Sequence, residues 1–154
     1  MKRTIVLTCL AAAALAVPAS AARADRAAYV SRVNTVCRSF TPKMKTAETA
    51  GKAAYAAGNA RRYAYELGVV LGLSLKEADE VEHVPVPADF AKAMARPLAG
   101  LKRVAAAERT VLARALAGDE AGFIVAFSHL SAVGSPLNRE LDAVGLRDCG
   151  SNQT

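Results

Sequence analysis

The sequence predicts an all-α protein, an antiparallel up-and-down four-helix bundle with kinked helices that follows an N-terminal signal peptide. Alanine, the best helix former, occupies 35 of the 154 positions. Apolar residues recur at three- and four-residue steps along four long segments, which is the period of an amphipathic helix. Short links containing glycine or proline join these segments, and no sustained alternation marks a strand.

The first 24 residues have the pattern of a secretory signal peptide. Lys2 and Arg3 precede the apolar run 5–17, and small-residue cleavage patterns follow at 19–21 and 22–24. The run is shorter than the roughly 17–25 residues that span a bilayer. We therefore expect cleavage, with the site before Asp25 preferred, and one secreted or extracytoplasmic domain over 25–154 without a permanent membrane span.

The charge of the chain changes when this segment leaves. The full chain carries +6, but Lys2, Arg3 and Arg23 are removed while all 14 acids remain. A mature chain with 17 bases and 14 acids lacks the strongly basic footprint of a nucleic-acid-binding protein. Nucleic acid is therefore not an expected partner.

Two cysteines remain in the mature chain. Cys9 leaves with the signal, whereas Cys37 and Cys149 stay. An even count in an oxidising compartment favours a disulfide between them. A redox pair or a pair of metal ligands is the alternative, although the sequence contains no C-x-x-C motif.

The first two helices are read from their apolar stripes. The first stripe contains Tyr29, Val33, Val36, Cys37, Phe40 and Met44. We expect Thr41-Pro42 to interrupt this helix, which resumes over 45–57 and ends near Gly58. The second helix spans about 60–83, and Gly68 and Gly72 on it suggest close packing against a neighbouring helix.

The second half of the chain follows a proline-rich linker, residues 83–87. A third helix is expected over 88–117, bent at Pro97 and stopped by Gly118. Asp119 caps a fourth helix, which Ser135-Pro136 kinks or splits and Gly145 ends. The tail 146–149 then docks on the bundle.

Three short motifs resemble a group of small exported helical proteins of actinobacteria that have no assigned function. The first helix contains Tyr29-x-x-x-Val33-Asn34-x-x-Cys37, and Pro85-Val86-Pro87 precedes the third helix. The chain closes with Leu141-x-x-x-Gly145-Leu146-x-x-Cys149-Gly150. The resemblance implies a helical bundle with a Cys37–Cys149 bridge, and it implies no activity.

Glu80 and His83 form the one E-x-x-H pair, which is the spacing of di-iron bundles. A second pair is missing because Ala126 stands three residues before His129. No cofactor is therefore predicted, and a single metal bound by Glu80 and His83 is one hypothesis. The alternative is a solvated helix end with His83 placed favourably at the helix dipole.

Glu108 is the single acid on the apolar face of the third helix. It either lies at the edge of that face with its head in water or lines an internal cavity. Tyr29, Tyr63 and Tyr65 are the other candidate ligand-binding residues. No catalytic residues are predicted, because Ser128, His129 and Ser131 lack the geometry of a nucleophilic site.

The sequence leads to three hypotheses about function. We expect a non-enzymatic binding module whose partner is a protein or a component of the cell envelope. The alternative is a carrier that holds a small apolar ligand in a bundle cavity. A third hypothesis is an all-helical enzyme, for which Arg61 or Arg62 would have to converge on Glu108.

Overall fold

The computed structural model describes residues 19–153, and it describes side chains for residues 25–152. The predicted apolar run of the signal peptide and Cys9 lie outside the described residues. The chain forms four helices: α1 (Ala19–Ala56), α2 (Ala60–Glu82), α3 (Ala91–Leu116) and α4 (Glu120–Ala143). Two short 3₁₀ turns, Arg147–Cys149 and Ser151–Gln153, follow. The prediction of an all-α four-helix bundle is confirmed.

The helix boundaries follow from local chemistry. Gly58 and Gly118 adopt positive φ angles of 67°, which glycine reaches without a steric penalty, and they end α1 and α3. The Asn59 and Asp119 side chains then accept hydrogen bonds from the backbone N–H groups of Arg62 and Gly122, at 3.0 and 2.9 Å. The predicted stop at Gly118 and cap at Asp119 are thus confirmed.

The predicted interruption at Thr41-Pro42 is wrong, because α1 continues through both residues. The Thr41 hydroxyl donates to the carbonyl of Cys37 at 3.1 Å and so does not cap a new helix. Proline removes one helical hydrogen bond, to the carbonyl of Arg38. Since Arg38 and Pro42 are both exposed, solvent can satisfy that carbonyl without breaking the helix.

The other prolines also lie inside continuous helices. Pro97 is an interior residue of α3, and Pro136 is an interior residue of α4, which is therefore not split. The linker is longer than expected, since α3 begins at Ala91 after Phe90.

The helices pack as neighbours in sequence. α1 lies along α2, α3 lies along α4, and α2 contacts α3. The turn Arg147–Cys149 packs against both α1 and α4 and closes the fold between the first and last helices.

A large apolar cluster fills one end of the bundle, which we call the disulfide end. Its fully buried members come from all four helices and the C-terminal tail: Val33, Cys37, Val81, Phe90, Met94, Leu141 and Leu146. A smaller cluster at the opposite end, the groove end, centres on Leu71, Val111 and Ala126. The two clusters give the bundle two unequal halves.

A disulfide joins Cys37 to Cys149 across 112 positions, with the two Cα atoms 5.2 Å apart. The prediction of a disulfide is confirmed, and the alternative of two free thiolate metal ligands does not apply. The bridge ties α1 to the C-terminal tail.

Within residues 19–153, no helix is both long enough and apolar enough to cross a membrane.

Candidate functional site

An apolar groove opens at the groove end of the bundle. It has a volume of about 670 Å³ and lies between the first half of α2, the last turns of α3 and the start of α4. Its lining includes the large apolar side chains of Leu67, Leu71, Leu112, Leu116 and Phe123. This volume falls within the range of small-molecule sites, roughly 300–1,000 Å³.

The groove exists because small residues line α2 where it faces α3 and α4. Ala60, Ala64 and Gly68 recur at four-residue steps along the groove. A Cβ atom built on Gly68 would meet nothing within 4 Å, so the missing side chain leaves open space. The same is true of Gly72, which is exposed.

The prediction that Gly68 and Gly72 pack closely against a neighbouring helix is therefore wrong. A close approach to another helix lies at Gly100 instead. A Cβ on Gly100 would lie only 2.7 Å from the Leu137 Cδ1, whereas one on Gly51 would lie at an ordinary contact distance of 3.5 Å from the Glu66 Cβ.

Several large apolar side chains at the groove end face solvent, and two of them, Tyr65 and Leu116, line the groove itself. The exposed ones among the described residues all lie at the groove end: Tyr55, Tyr65, Leu116, Ile124, Val125 and Phe127. Leu116, on the last turn of α3, is 89% exposed. The Tyr55 and Tyr63 rings are 5.6 Å apart, and the Phe123 and Phe127 rings stack at 5.9 Å. Exposed apolar side chains grouped in this way are typical of interaction sites.

Paired charges frame the groove. Arg114 donates to Asp119 at 2.8 Å, and Arg62 forms an ion pair with Glu66 one turn along α2. The Gly122 backbone N–H, together with Arg114, holds the pKa of Asp119 below its usual range. Asp119 and Glu66 thus each have a basic partner, and Glu120, the remaining acid of the groove lining, is exposed in the first turn of α4.

Two of the four predicted ligand-binding residues lie in this groove. Tyr63 is half-buried in its wall, and Tyr65 is mostly exposed at its rim, where the Arg62 guanidinium lies 5.3 Å from the ring centroid. Tyr29 lies instead in the disulfide end, edge-on to Phe90 at 5.8 Å. Its burial raises the pKa of the phenol.

Glu108 lies neither in the groove nor in the apolar cluster of the disulfide end. Its side chain is only 5% exposed and lines a small interior cavity between α2, α3 and α4, so it does not lie at the edge of its helix face. Arg61 and Arg62 are exposed at the start of α2, and Arg62 pairs with Glu66. The convergence of these arginines with Glu108 that an Arg/Glu enzyme would require is therefore not present.

Glu80 and His83 are both exposed at the end of α2. The His83 Nδ1 lies 2.7 Å from the Asp79 carbonyl oxygen, and this bond raises the pKa of the imidazole. Within residues 25–152, the three metal-ligand side chains that do approach one another are Cys37, Cys149 and Glu77. Both sulfurs of that group are already joined in the disulfide.

Asn34 has a role that the sequence reading did not assign. Its side-chain amide donates to the Gly145 carbonyl at 3.0 Å and accepts from the Asp148 backbone N–H at 3.2 Å. Arg38, one turn further along α1, forms an ion pair with Asp148. These bonds hold the tail beside Cys37, and they give the Asn34-x-x-Cys37 motif a physical meaning.

The fold and the groove together define a helical bundle closed by a disulfide at one end and carrying an apolar groove at the other. Comparisons with models of known families, with curated proteins and with solved structures give no match for this chain.

Proposed function

We propose that this protein is a non-enzymatic binding module of the extracytoplasmic space, and that it binds its partner through the groove end. The observation that carries the proposal is the concentration of exposed large apolar side chains around one apolar groove. Covering these side chains removes apolar surface from water, at about 25 cal/mol per Å².

A protein or envelope component is the favoured partner because the apolar surface extends beyond the groove. Ile124 and Val125 are 61% and 71% exposed on α4, and neither belongs to the groove lining. A ligand confined to the groove would leave them in water. A partner that contacts α4 on more than one side, in addition to the groove, would cover both regions.

The ionisable groups of the groove support binding over catalysis. Among the described residues that line it, Arg114 and Asp119 pair with each other, Glu120 is exposed in the first turn of α4, and neither histidine takes part. The Asp119 carboxylate also caps α4, so it serves the helix terminus. General acid–base chemistry would need a proton-transfer group aimed into the groove.

The extracytoplasmic location rests on two features. The N-terminal segment has the pattern of a secretory signal, and the mature domain holds a disulfide that closes a long loop. Disulfides persist in oxidising compartments.

Site-specific photocrosslinking in the exporting cells tests this proposal. A photoreactive phenylalanine analogue replaces Leu116 in the groove, or Lys92, an exposed residue on the same helix at the disulfide end. We expect one discrete adduct from position 116 that the Gly68→Leu variant loses and the Gly72→Leu variant keeps. Equal adducts from both positions, or an adduct indifferent to Gly68→Leu, would contradict the proposal.

A second candidate function is the carriage of a small apolar ligand, which the 670 Å³ volume of the groove favours. Titration with a fluorescent fatty acid tests it. A carrier binds one probe per chain and retains a ligand in native mass spectra of protein purified from the medium. A chain that crosslinks a partner at position 116 but carries no ligand is a partner-binding module instead.

A further inference from the structure

A second cavity lies inside the bundle, between the two apolar clusters. It has a volume of about 100 Å³ and is enclosed by the middle of α2, the middle of α3 and the second half of α4. Its apolar walls come from Ala78, Val81, Leu101, Val104, Ala105 and Leu137. This cavity is separate from the groove, since the two share no lining residue.

Four oxygen-bearing side chains line this cavity, and they come from three helices. Ser74 and Glu77 lie one turn apart on α2, Glu108 lies on α3, and Asn138 lies on α4. Both carboxyl groups are buried, with Glu77 at 8% and Glu108 at 5% exposure. No lysine, arginine or histidine lines the cavity among the described residues.

The carboxyl group of Glu108 is only partly satisfied by hydrogen bonds within the described residues. The Ser74 side chain is a hydrogen-bond partner of this carboxyl group, and the positive charge of Arg109 also favours its ionised form. Its Oε2 atom, however, is buried without a hydrogen-bond partner among the described residues. A buried carboxylate oxygen in this condition is costly, and native proteins rarely retain one without a counter-charge or ligand.

The side-chain oxygen atoms that line the cavity indicate which class of ligand it would bind. Carboxylate, hydroxyl and amide oxygens are the ligands of hard divalent cations, and softer metals prefer sulfur or imidazole. The Cys149 sulfur that borders the cavity is held in the disulfide and is no thiolate ligand. A volume of 100 Å³ accommodates one ion with two water molecules, each of which occupies about 30 Å³.

We propose that this cavity is a binding site for one hard divalent cation of the calcium or manganese class, with Glu77 and Glu108 as charged ligands and Ser74 and Asn138 as neutral ones. The cation satisfies the unpartnered oxygen of Glu108 and links α2, α3 and α4 at the middle of the bundle. This role is structural, and it is independent of whether the groove binds a partner.

Titration of the purified full domain with Mn²⁺ alone, followed by electron paramagnetic resonance, tests the site, with Ca²⁺ as the competitor. We expect one specifically bound Mn²⁺ per chain and a rise in melting temperature on loading. Extracellular Ca²⁺ modules bind with dissociation constants near 0.1–1 mM, so the titration extends to about 10 mM.

Isosteric variants identify the ligands. Glu108→Gln and Glu77→Gln each keep the side-chain shape, and each is expected to weaken Mn²⁺ binding by roughly tenfold or more. Glu80→Gln, an exposed substitution on the same helix as Glu77, is the matched control and leaves the affinity unchanged. Far-ultraviolet circular dichroism verifies that each variant is folded. Because the two ligands are tested in separate variants, the proposal can still be tested with one variant if the other does not fold.

Three outcomes would overturn the inference. The first is the absence of binding up to about 10 mM Mn²⁺. The second is binding that both Gln variants retain, and the third is binding that Glu80→Gln weakens equally. The Gly68→Leu variant separates this site from the groove, because it blocks the groove and is expected to bind Mn²⁺ as the parent chain does.

Discussion

Asn34 on α1 donates a hydrogen bond to the backbone carbonyl of Gly145, 111 positions later in the chain. The same side chain accepts from the backbone of Asp148, so a single amide satisfies two backbone groups of the tail. Gly145 adopts a φ of 90°, and this left-handed conformation turns the chain away from α4 toward Asn34. The disulfide end is thus closed by polar bonds as well as by the covalent bridge.

Replacement of Asn34 by alanine is expected to destabilise the protein by about 1–3 kcal/mol, because two partly buried backbone groups lose their partner. Urea unfolding followed by circular dichroism measures this change. Thr49→Ala is the control, since the Thr49 hydroxyl is exposed and donates within its own helix, to the Lys45 carbonyl. Equal stability of the Asn34 and Thr49 variants would contradict this account of the tail.

Reduction of the Cys37–Cys149 disulfide is expected to lower the melting temperature by roughly 10 °C or more. A bridge that closes a loop of this length contributes about 4–5 kcal/mol in the chain-entropy model. Differential scanning calorimetry with and without reductant measures the shift, and a Cys37→Ala/Cys149→Ala double variant controls for effects of the reductant. An unchanged melting temperature in both experiments would exclude a structural role for the bridge.

Two glycines are predicted to respond in opposite directions when replaced by alanine. Gly100→Ala places a Cβ 2.7 Å from the buried Leu137 side chain and should cost about 1–3 kcal/mol through overpacking. Gly72→Ala meets no neighbour and should stabilise α2 by about 0.5–1 kcal/mol. Chemical unfolding of the two variants checks this pair, and a stabilising Gly100→Ala would show that α3 and α4 pack less tightly than described.

The buried Glu108 predicts a pH dependence when divalent cations are removed with a chelator. Burial, opposed by the Ser74 hydrogen bond and by Arg109, raises the pKa of Glu108. Below the pKa that Glu108 has in the unfolded chain, its carboxyl group is protonated in both the folded and the unfolded state. It then does not lower the free energy of unfolding. Between that pKa and the higher pKa of Glu108 in the folded protein, the carboxyl group ionises in the unfolded state alone, so the free energy of unfolding falls as the pH rises. Above the folded pKa, the loss of stability is complete and no longer changes with pH.

Glu108→Gln should therefore be more stable than the parent at neutral pH, and its stability should fall less between mildly acidic and neutral pH. Unfolding free energies measured across this range with chelator present check the prediction. Glu80→Gln, which alters an exposed acid, should follow the parent curve. A Glu108→Gln curve that runs parallel to the parent would show that the carboxyl group is not held in its neutral form.

Sequence patterns predicted the helices because their signals are local. Gly118 and Asp119 end one helix and begin the next through backbone conformation and a side-chain cap, both of which depend on adjacent residues. The failure at Thr41-Pro42 has the opposite cause, since a proline on an exposed face of a long, packed helix costs one hydrogen bond and tertiary packing outweighs it.

The groove and the interior cavity were harder to predict from the sequence, because they depend on which helix faces pack against one another. Gly68, Gly72 and Gly100 are alike in sequence, yet only Gly100 contacts another helix closely. The interior cavity joins residues of three helices, and of its four polar groups only Glu108 interrupted an apolar stripe conspicuously. Ser74 lies on the apolar face of α2, Glu77 begins the acidic run that ends that helix, and Asn138 stands out in no sequence pattern.

The most direct test of the proposed binding role is the affinity of an apolar fluorescent probe for two leucine variants of α2. Gly68→Leu fills the groove, whereas Gly72→Leu adds the same side chain one turn away, outside the groove lining. We expect Gly68→Leu to weaken binding by roughly tenfold or more, or about 1.4 kcal/mol, and Gly72→Leu to bind as the parent does. Equal affinity in all three proteins would contradict the assignment of the groove as the binding site.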